Sequence, residues 1–258
     1  MKLITNVRSI INYQTFIVIF LSGISTVLCS YYKISIDFPT TIIGIAIVFP
    51  IVFSIGGAYN RREAALKSYS TLKAHGRALY FVSRDWLPEQ NIDSQNAMRV
   101  VIRECLQNIK NLFSYGNNHR EPDESAVNLS FSKLSELVNG MRKVGLPGGE
   151  ASRANQYISK MIEAYEGMKH IYQYRTPITL RTYSKVFIFV IPVIFGPYFV
   201  HIAEQFSIAI QLIMPVLFSV VLVSLDNIQD HLENPFDQIG ADDVKINPEK
   251  FEKGLLIK

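Results

Sequence analysis

Four stretches of the chain are long and almost wholly apolar. A helix of about 20 mostly apolar residues is enough to cross the hydrocarbon core of a bilayer. None of the four has Lys, Arg, Asp or Glu at its centre, and the short connections "KISID" and "EQ" join them in pairs. This pattern predicts two membrane hairpins rather than the buried helices of a large soluble protein. The predicted spans are Phe16–Tyr32, Phe38–Tyr59, Val186–Ala203 and Phe206–Leu225.

Between the two hairpins, apolar residues recur about every third or fourth position, which is typical of amphipathic helices. We expect the second span to continue directly into the first of these helices. A further helix should be capped by Asp93 or Ser94 and run to about Phe113. "SFSKLSELVNGMRKVGL" predicts another helix, "PGGE" a turn, and "SRANQYISKMIEAYEGMKHIYQYR" a last long helix. The expected fold class is therefore all-α.

Positive charge sets the expected orientation of the chain. Lys and Arg are concentrated between residues 60 and 185, whereas the two hairpin loops contain only Lys33. Basic loops stay in the cytoplasm, so we predict cytoplasmic termini and a multi-pass protein of the plasma (cell inner) membrane. The predicted segments are 1–59 with spans one and two, 60–185 as a cytosolic helical region, 186–225 with spans three and four, and 226–258 as a cytosolic C-terminal segment.

Composition agrees with a protein that is partly in the membrane and partly outside it. Of 258 residues, 48% are apolar and 19% are charged, which is too apolar for an ordinary soluble domain and too charged for membrane spans alone. The net charge of +4 is mild, so we expect no nucleic acid partner. Cys29 lies in an apolar run and Cys105 in a charged one, so we expect no disulfide between them.

The sequence offers no constellation typical of an enzyme. The five histidines are scattered, without an HExxH or a carboxylate at a matching ligand spacing. The phosphate-binding and nucleophile motifs GxxxxGK[ST], GxGxxG and GxSxG are all missing. Asp242 and Asp243 are typical of a solvated tail. We therefore predict a protein that is not an enzyme, with no catalytic residues, no cofactor and no metal.

The second span, "IIGIAIVFPIVFSIGGAYNRR", carries a regular apolar stripe. Ile45, Phe49 and Phe53 are spaced i, i+4 and i+8 and so share one helix face. They could contact lipid or a neighbouring span. Alternatively, copies of this helix around an axis would point three apolar rings into a pore and gate it by dewetting. Periodicity does not choose between the two. Pro50 predicts a bend, and small residues predict close packing against neighbouring helices, namely Gly44, Ala46, Gly56, Gly57 and Ala58.

Three stretches resemble one family of membrane proteins. "GIAIVFPIVFSIGGAYNRREAAL" looks like the second span of the bestrophin channels, especially the bacterial branch. "EGMKHIYQYRTPITLRTYSKVF" is similar to the stretch before their third span, and "SLDNIQDHLENPFDQIGADDV" to the stretch after their fourth, with its Asn-Pro-Phe. The three occur in the family's order, with the family's order of spans.

The resemblance implies a homopentamer around one axial pore, with long cytosolic helices and a cytosolic vestibule. It implies a transmembrane pore neck lined by Ile45, Phe49 and Phe53. It also implies a cytosolic aperture at Ile178 in "RTPIT", where Thr179 replaces the family's second proline. An ordinary buried isoleucine is the alternative for Ile178. The expected partners are monovalent ions, the lipid bilayer and further copies of the chain.

Two departures from the family's sequence pattern concern calcium binding and the residues that follow the pore neck. Animal bestrophins bind calcium with acidic residues just after their Asn-Pro-Phe, whereas Asp237, Asp242 and Asp243 are more dispersed here. Ca²⁺ needs six or more oxygen ligands, so we expect no calcium clasp. The polar residues that follow the family's neck phenylalanine become Ser54 to Gly57 in this chain.

Charged residues near the predicted pore mouths carry both signs, so ion preference depends on which of them face the axis. They are Arg61, Arg62, Asp226, Asp230 and Glu233. Because Arg61 and Arg62 continue the pore helix itself, we expect anions such as chloride to be favoured. A monovalent-cation-selective channel of the same fold and a non-conducting, membrane-anchored interaction protein remain as alternatives. A transporter would require an inverted repeat, and the two halves of the chain show no self-similarity.

Overall fold

The protein is helical throughout the part of the chain that the computed structural model describes, which is residues 11–37, 39–114, 124–174, 177–205, 208–237 and 242–256. The helices are α1 (Tyr13–Tyr31), α2 (Thr40–Asp85), α3 (Ile92–Ser114), α4 (Ser125–Lys143), α5 (Gly148–Gln173), α6 (Ile178–Ile194), α7 (Gly196–Gln205), α8 (Ile208–Glu233) and α9 (Pro248–Leu255). The prediction of an all-α chain is confirmed.

The apolar runs became helices long enough for a bilayer. Among the described residues, α1, α2 and α8 are long and apolar enough to cross a membrane, and a fourth span results if the bent pair α5 and α6 is counted as one. The chain is thus a multi-pass membrane protein. Helix α2 passes through Pro50 and continues well beyond the apolar run to Asp85, as expected. Helix α8 extends past the predicted end at Leu225 to Glu233.

The prediction of one helix over Val186–Ala203 is wrong. Helix α6 begins earlier, at Ile178, and ends at Ile194, and α7 starts at Gly196. The reason is local, because Pro197 has no N–H to donate to the carbonyl oxygen of Val193 four residues earlier, so the hydrogen-bond ladder of α6 does not continue through it. Close packing adds to this, since a Cβ on Gly196 would lie 2.5 Å from the Ser25 hydroxyl oxygen.

Two predicted helix starts also differ from the structure. The cap of α3 is Asn91, whose side-chain oxygen accepts the backbone N–H of Ser94 at 2.9 Å. Neither Asp93 nor Ser94 is the cap, because both lie inside the first turn. "PGGE" is the start of α5 rather than a turn of its own. Pro147 immediately precedes the helix, and Gly148 is its first residue.

The chain forms two compact units. The membrane unit comprises residues 1–61 and 175–233, and the bundle unit comprises residues 62–174 and 234–258. In the membrane unit, α1 packs against α6, α7 and α8, and α6 and α7 also pack against α8. Its apolar core includes Val18, Ile51, Ile188, Phe195 and Val223.

Side-chain oxygens tie the helices of the membrane unit together. The hydroxyls of Ser22 and Ser25 on α1 donate to the carbonyl oxygens of Pro192 and Val193, each at 2.7 Å. These carbonyls belong to the last turn of α6, where helix geometry leaves acceptors without an N–H partner. The break after α6 is therefore stabilised by hydrogen bonds from α1.

In the bundle unit, α4 packs against α3 and α5, and α9 packs against α3. The segment after α8 joins this core through Phe236, whose ring stacks on Phe113 with centroids 4.8 Å apart. Phe236 is the phenylalanine of the Asn-Pro-Phe motif, and it is fully buried. Helix α9 is held by Glu252, which lies 3.5 Å from Arg99 and 3.6 Å from Arg103. The C-terminal segment is thus part of the bundle core.

Candidate functional site

Helix α2 leaves the predicted apolar stripe uncovered in the single chain. Ile45, Phe49 and Phe53 are 62%, 61% and 60% exposed. A different face of the same helix packs inside the membrane unit, and its buried residues are Ile47, Ile51, Ser54 and Ala58. The stripe recognised by spacing is therefore a surface of the chain rather than part of its core.

The two phenylalanines of the stripe contact one another. The ring centroids of Phe49 and Phe53 are 4.6 Å apart, and the ring planes are inclined by 69°. This edge-to-face arrangement is favoured by the charge distribution of aromatic rings. Val48 and Val52 are also exposed beside the stripe. The result is a continuous apolar surface over about two and a half helical turns.

Three glycines of α2 border open space in the single chain. A Cβ added at Gly44, Gly56 or Gly57 would meet no atom within 4 Å. The other helices of the membrane unit pack against a different face of α2, so close approach of helices from other copies at these residues stays a prediction. Ala58 alone among the glycines and alanines of this set is buried.

Ile178 is the first residue of α6 and is 80% exposed. The alternative of an ordinary buried isoleucine is therefore wrong for the single chain. Pro177 precedes it with an extended backbone conformation, at a ψ of 126°. Such a residue fits the start of a helix, where Pro costs no hydrogen bond. Thr176 of the same motif lies outside the described residues.

The two arginines that end the apolar run are half-buried. In the bundle unit, the Arg62 Nε donates to the carbonyl oxygen of Asp242 at 2.6 Å. Its Nη1 pairs with the Glu63 carboxylate at 2.7 Å. The positive charge of Arg62 is therefore partly offset by a carboxylate of the next residue.

The three acidic residues at the end of α8 form an alternating ladder with two basic residues of α6. Arg181 lies 3.3 Å from Glu233 and 2.9 Å from Asp230. Lys185 lies 2.9 Å from Asp230 and 3.8 Å from Asp226. Asp226 and Glu233 are buried, whereas Asp230 is one-third exposed. Two positive and three negative side chains leave one excess negative charge.

Arg181 and Lys185 were not singled out by sequence reasoning, although a signal existed. They are four residues apart and so share a face of α6. Asp226, Asp230 and Glu233 likewise share a face of α8. Matching the two faces requires knowing that α6 packs against α8, and the paired residues are 45 and 49 positions apart in the chain.

The described residues contain no group of three His, Cys, Asp or Glu side chains that could hold a metal ion. The segment after Asn-Pro-Phe falls partly outside them, since residues 238–241 are not described. Of the three acids singled out there, Asp237 is half-buried, Asp242 exposed and Asp243 buried.

Comparison with known proteins adds information at the level of the fold. No protein-family model and no curated protein matches the sequence, but solved structures do. One variant of a bacterial bestrophin homolog from Klebsiella pneumoniae matches with a TM-score of 0.79 and 16% identity, over 95% of this chain and 97% of its own. A structure of the Klebsiella pneumoniae homolog phased on zinc matches with a TM-score of 0.78 and 17% identity, over 95% and 96% of the two chains.

The chain has the bestrophin fold. The match extends over nearly the whole length of both chains, so it includes both the membrane unit and the bundle unit of this protein. It confirms the resemblance that three short motifs indicated in the sequence.

Proposed function

We propose that this bestrophin-fold protein is a homopentameric ion channel for small monovalent ions, with chloride favoured. The observation that carries the proposal is the exposure of Ile45, Phe49 and Phe53 on α2, at the register that the resemblance assigned to a pore neck. Five copies of α2 around an axis would bring three apolar rings together. Such a constriction conducts when it is wetted and closes when water leaves it.

Ile178 supplies the proposed second constriction, at the cytosolic aperture. Its side chain is almost fully exposed at the first turn of α6. In a pentamer, five exposed isoleucines held at helix starts next to a rigid proline could form an uncharged ring that narrows the aqueous pore. In this proposal the termini are cytoplasmic, the protein lies in the plasma (cell inner) membrane, and the bundle unit is cytosolic.

Chloride is favoured because the acids near the membrane are compensated. Asp226, Asp230 and Glu233 are paired with Arg181 and Lys185 in the same chain, so their attraction for cations in solution is reduced. Arg61 follows the neck along α2, and its positive charge raises the concentration of anions near the pore mouth through its field, although the helix directs its side chain away from the stripe. A pore of the same fold that prefers monovalent cations is the alternative outcome of the test.

The test is the reversal potential of the purified protein in a planar bilayer under a KCl gradient, with subunit number measured by native mass spectrometry. We expect a pentamer with currents that reverse towards the chloride potential. Phe53→Ala should widen the neck and raise single-channel conductance above that of the wild type. Phe20→Ala on α1 is the matched control, since Phe20 is equally exposed but belongs to no proposed constriction, and its conductance should equal that of the wild type.

Each other result has a definite meaning. Reversal towards the potassium potential would keep the channel and reject chloride. A monomer without current, or a pentamer that stays silent even with Phe49→Ala and Phe53→Ala combined, would favour the membrane-anchored interaction protein. Equal conductance changes in Phe53→Ala and Phe20→Ala would reject the assignment of the neck.

A further inference from the structure

The exposed stripe of α2 continues beyond Phe53. Successive residues of an α-helix are rotated by about 100°, which places Phe49 at about 40° and Phe53 at about 80° from Ile45. Gly56 follows at about 20° and has no side chain. Asn60 comes next, at about 60°, between the directions of the two phenylalanines. Its side chain is exposed, and it is the first side chain after Phe53 that lies within the range of directions from Ile45 to Phe53. Tyr59, which is also exposed, lies about 40° to the other side of Ile45.

The neighbouring arginines do not share this direction. On the same helix, Arg61 is rotated by about 160° from Ile45, which is about 80° beyond Phe53 and towards the buried face that holds Ser54. Arg62 is engaged elsewhere, with the carbonyl oxygen of Asp242 and the carboxylate of Glu63. Position along the chain therefore brings the arginines close to the neck, but the helical rotation of α2 turns Asn60 towards the direction of the stripe instead.

We propose that Asn60 forms the first polar ring below the apolar neck and that this ring determines how strongly the channel distinguishes anions from cations. The proposal rests on the proposed pore, in which α2 lines the axis. A rise of 1.5 Å per residue places the ring about 10 Å beyond Phe53. An ion that leaves the neck regains polar contacts there.

The chemistry of the amide explains the expected preference. An asparagine side chain offers a carbonyl oxygen to cations and two N–H donors to anions. A ring of five neutral amides therefore stabilises ions of either sign. The wild-type channel should accordingly show only a modest preference for chloride. In a pentamer, a charged side chain at position 60 would be present five times by symmetry. If this ring of charge creates a potential of about one kT, it changes the local concentration of ions of either sign roughly threefold.

The experiment compares Asn60→Asp and Asn60→Lys with the wild type as reconstituted pentamers under a KCl gradient. We expect the chloride-to-potassium permeability ratio to fall at least about threefold in Asn60→Asp and to rise at least about threefold in Asn60→Lys. The opposite signs are the internal control, since a general disturbance of the helix would shift both variants in the same direction. Asn60→Ser, which stays neutral, should keep the wild-type ratio.

A second measurement does not depend on a charged variant assembling correctly. Asn60→Cys is reconstituted first and then treated with a negatively charged or a positively charged methanethiosulfonate reagent, with treated wild type as the control for Cys29 and Cys105. The two reagents should shift the permeability ratio in opposite directions. A conducting wild type whose ratio is unaffected by charge at position 60 in both measurements would overturn the role of Asn60 alone. A silent wild type would overturn the pore, and with it this proposal.

Discussion

The two units of this protein differ in what they bury beside their apolar cores and in how much apolar surface they expose. The membrane unit encloses hydroxyls, for instance those of Ser22, Thr26, Ser54, Ser184 and Ser219, and exposes many of its large apolar residues. The bundle unit encloses aliphatic and aromatic residues such as Leu72, Ile102, Phe113 and Tyr165. The contrast follows from the surroundings of the membrane unit, because lipid is as apolar as the side chains and burying them gains little free energy. Helices in lipid associate instead through close packing and polar contacts.

Helix α2 shows both behaviours in one element. From Ile47 onwards it buries a residue about every third or fourth position, first Ile47, Ile51, Ser54 and Ala58, and later Ala65, Tyr69, Leu72 and Leu79. Its uncovered face changes from Ile45, Phe49 and Phe53 to polar residues such as Glu63, Lys67 and Arg77. The comparison teaches that exposure of the apolar stripe costs little in a membrane protein.

The largest expected effect lies in the apolar core of the bundle unit. Leu72 is fully buried there, so Leu72→Ala should lower the free energy of unfolding by about 2–5 kcal/mol, from lost transfer energy and the cavity left behind. Leu129→Ala is the matched control, since Leu129 is exposed on α4 and should change stability by less than about 0.5 kcal/mol. Thermal unfolding of the detergent-solubilised protein measures both. Similar losses would show that burial does not govern stability in this unit.

A smaller effect is expected where the membrane unit packs closely. In Gly196→Ala the new Cβ would meet the hydroxyl oxygen of Ser25 at 2.5 Å and its backbone carbon at 3.1 Å. Overpacking of this kind costs about 1–3 kcal/mol, seen as a lower unfolding temperature. Gly23→Ala is the control, because no atom lies within 4 Å of its Cβ position and alanine favours the helix by roughly 0.5–1 kcal/mol. A destabilised Gly23→Ala together with a neutral Gly196→Ala would contradict this packing.

The smallest effect concerns Cys105 in the core of the bundle unit. Burial raises the pKa of its thiol from 9.0 to about 12. Since only the thiolate reacts, iodoacetamide at pH 8 should leave Cys105 unmodified in the folded protein and modify it after denaturation, as peptide mass spectrometry would show. The pKa is higher in the folded state, so the neutral thiol favours folding fully below pH 9, and this contribution is lost as pH rises towards 12.

Replacing Cys105 shows how much of the pH dependence of stability is due to its thiol. Cys105→Ala should unfold with a shallower loss of stability between pH 9 and 12 than the wild type, because one group no longer ionises differently in the two states. Rapid modification of Cys105 in folded protein at pH 8 would instead show that this part of the bundle core opens to solvent.

Much of the architecture could be predicted from local patterns. The apolar runs indicated the membrane helices, and the periodicity after Asn60 indicated that α2 continues to Asp85. Patterns failed where a single residue decides a boundary. The run over residues 186–203 contains no Lys, Arg, Asp or Glu, yet Pro197 and the close packing of Gly196 against Ser25 divide it. The cap of α3 similarly depends on which side chain reaches the Ser94 N–H, and this is Asn91.

The sequence by itself determined that Ile45, Phe49 and Phe53 share a helix face, because the spacing of residues along an α-helix is enough for that. Only the tertiary structure decided that this face is left uncovered, since periodicity does not say which neighbour lies against a face. The same holds for Asp226, Asp230 and Glu233. Their charges are evident in the sequence, but their compensation by Arg181 and Lys185 depends on the packing of α6 against α8, which brings residues distant in the chain within a few ångströms.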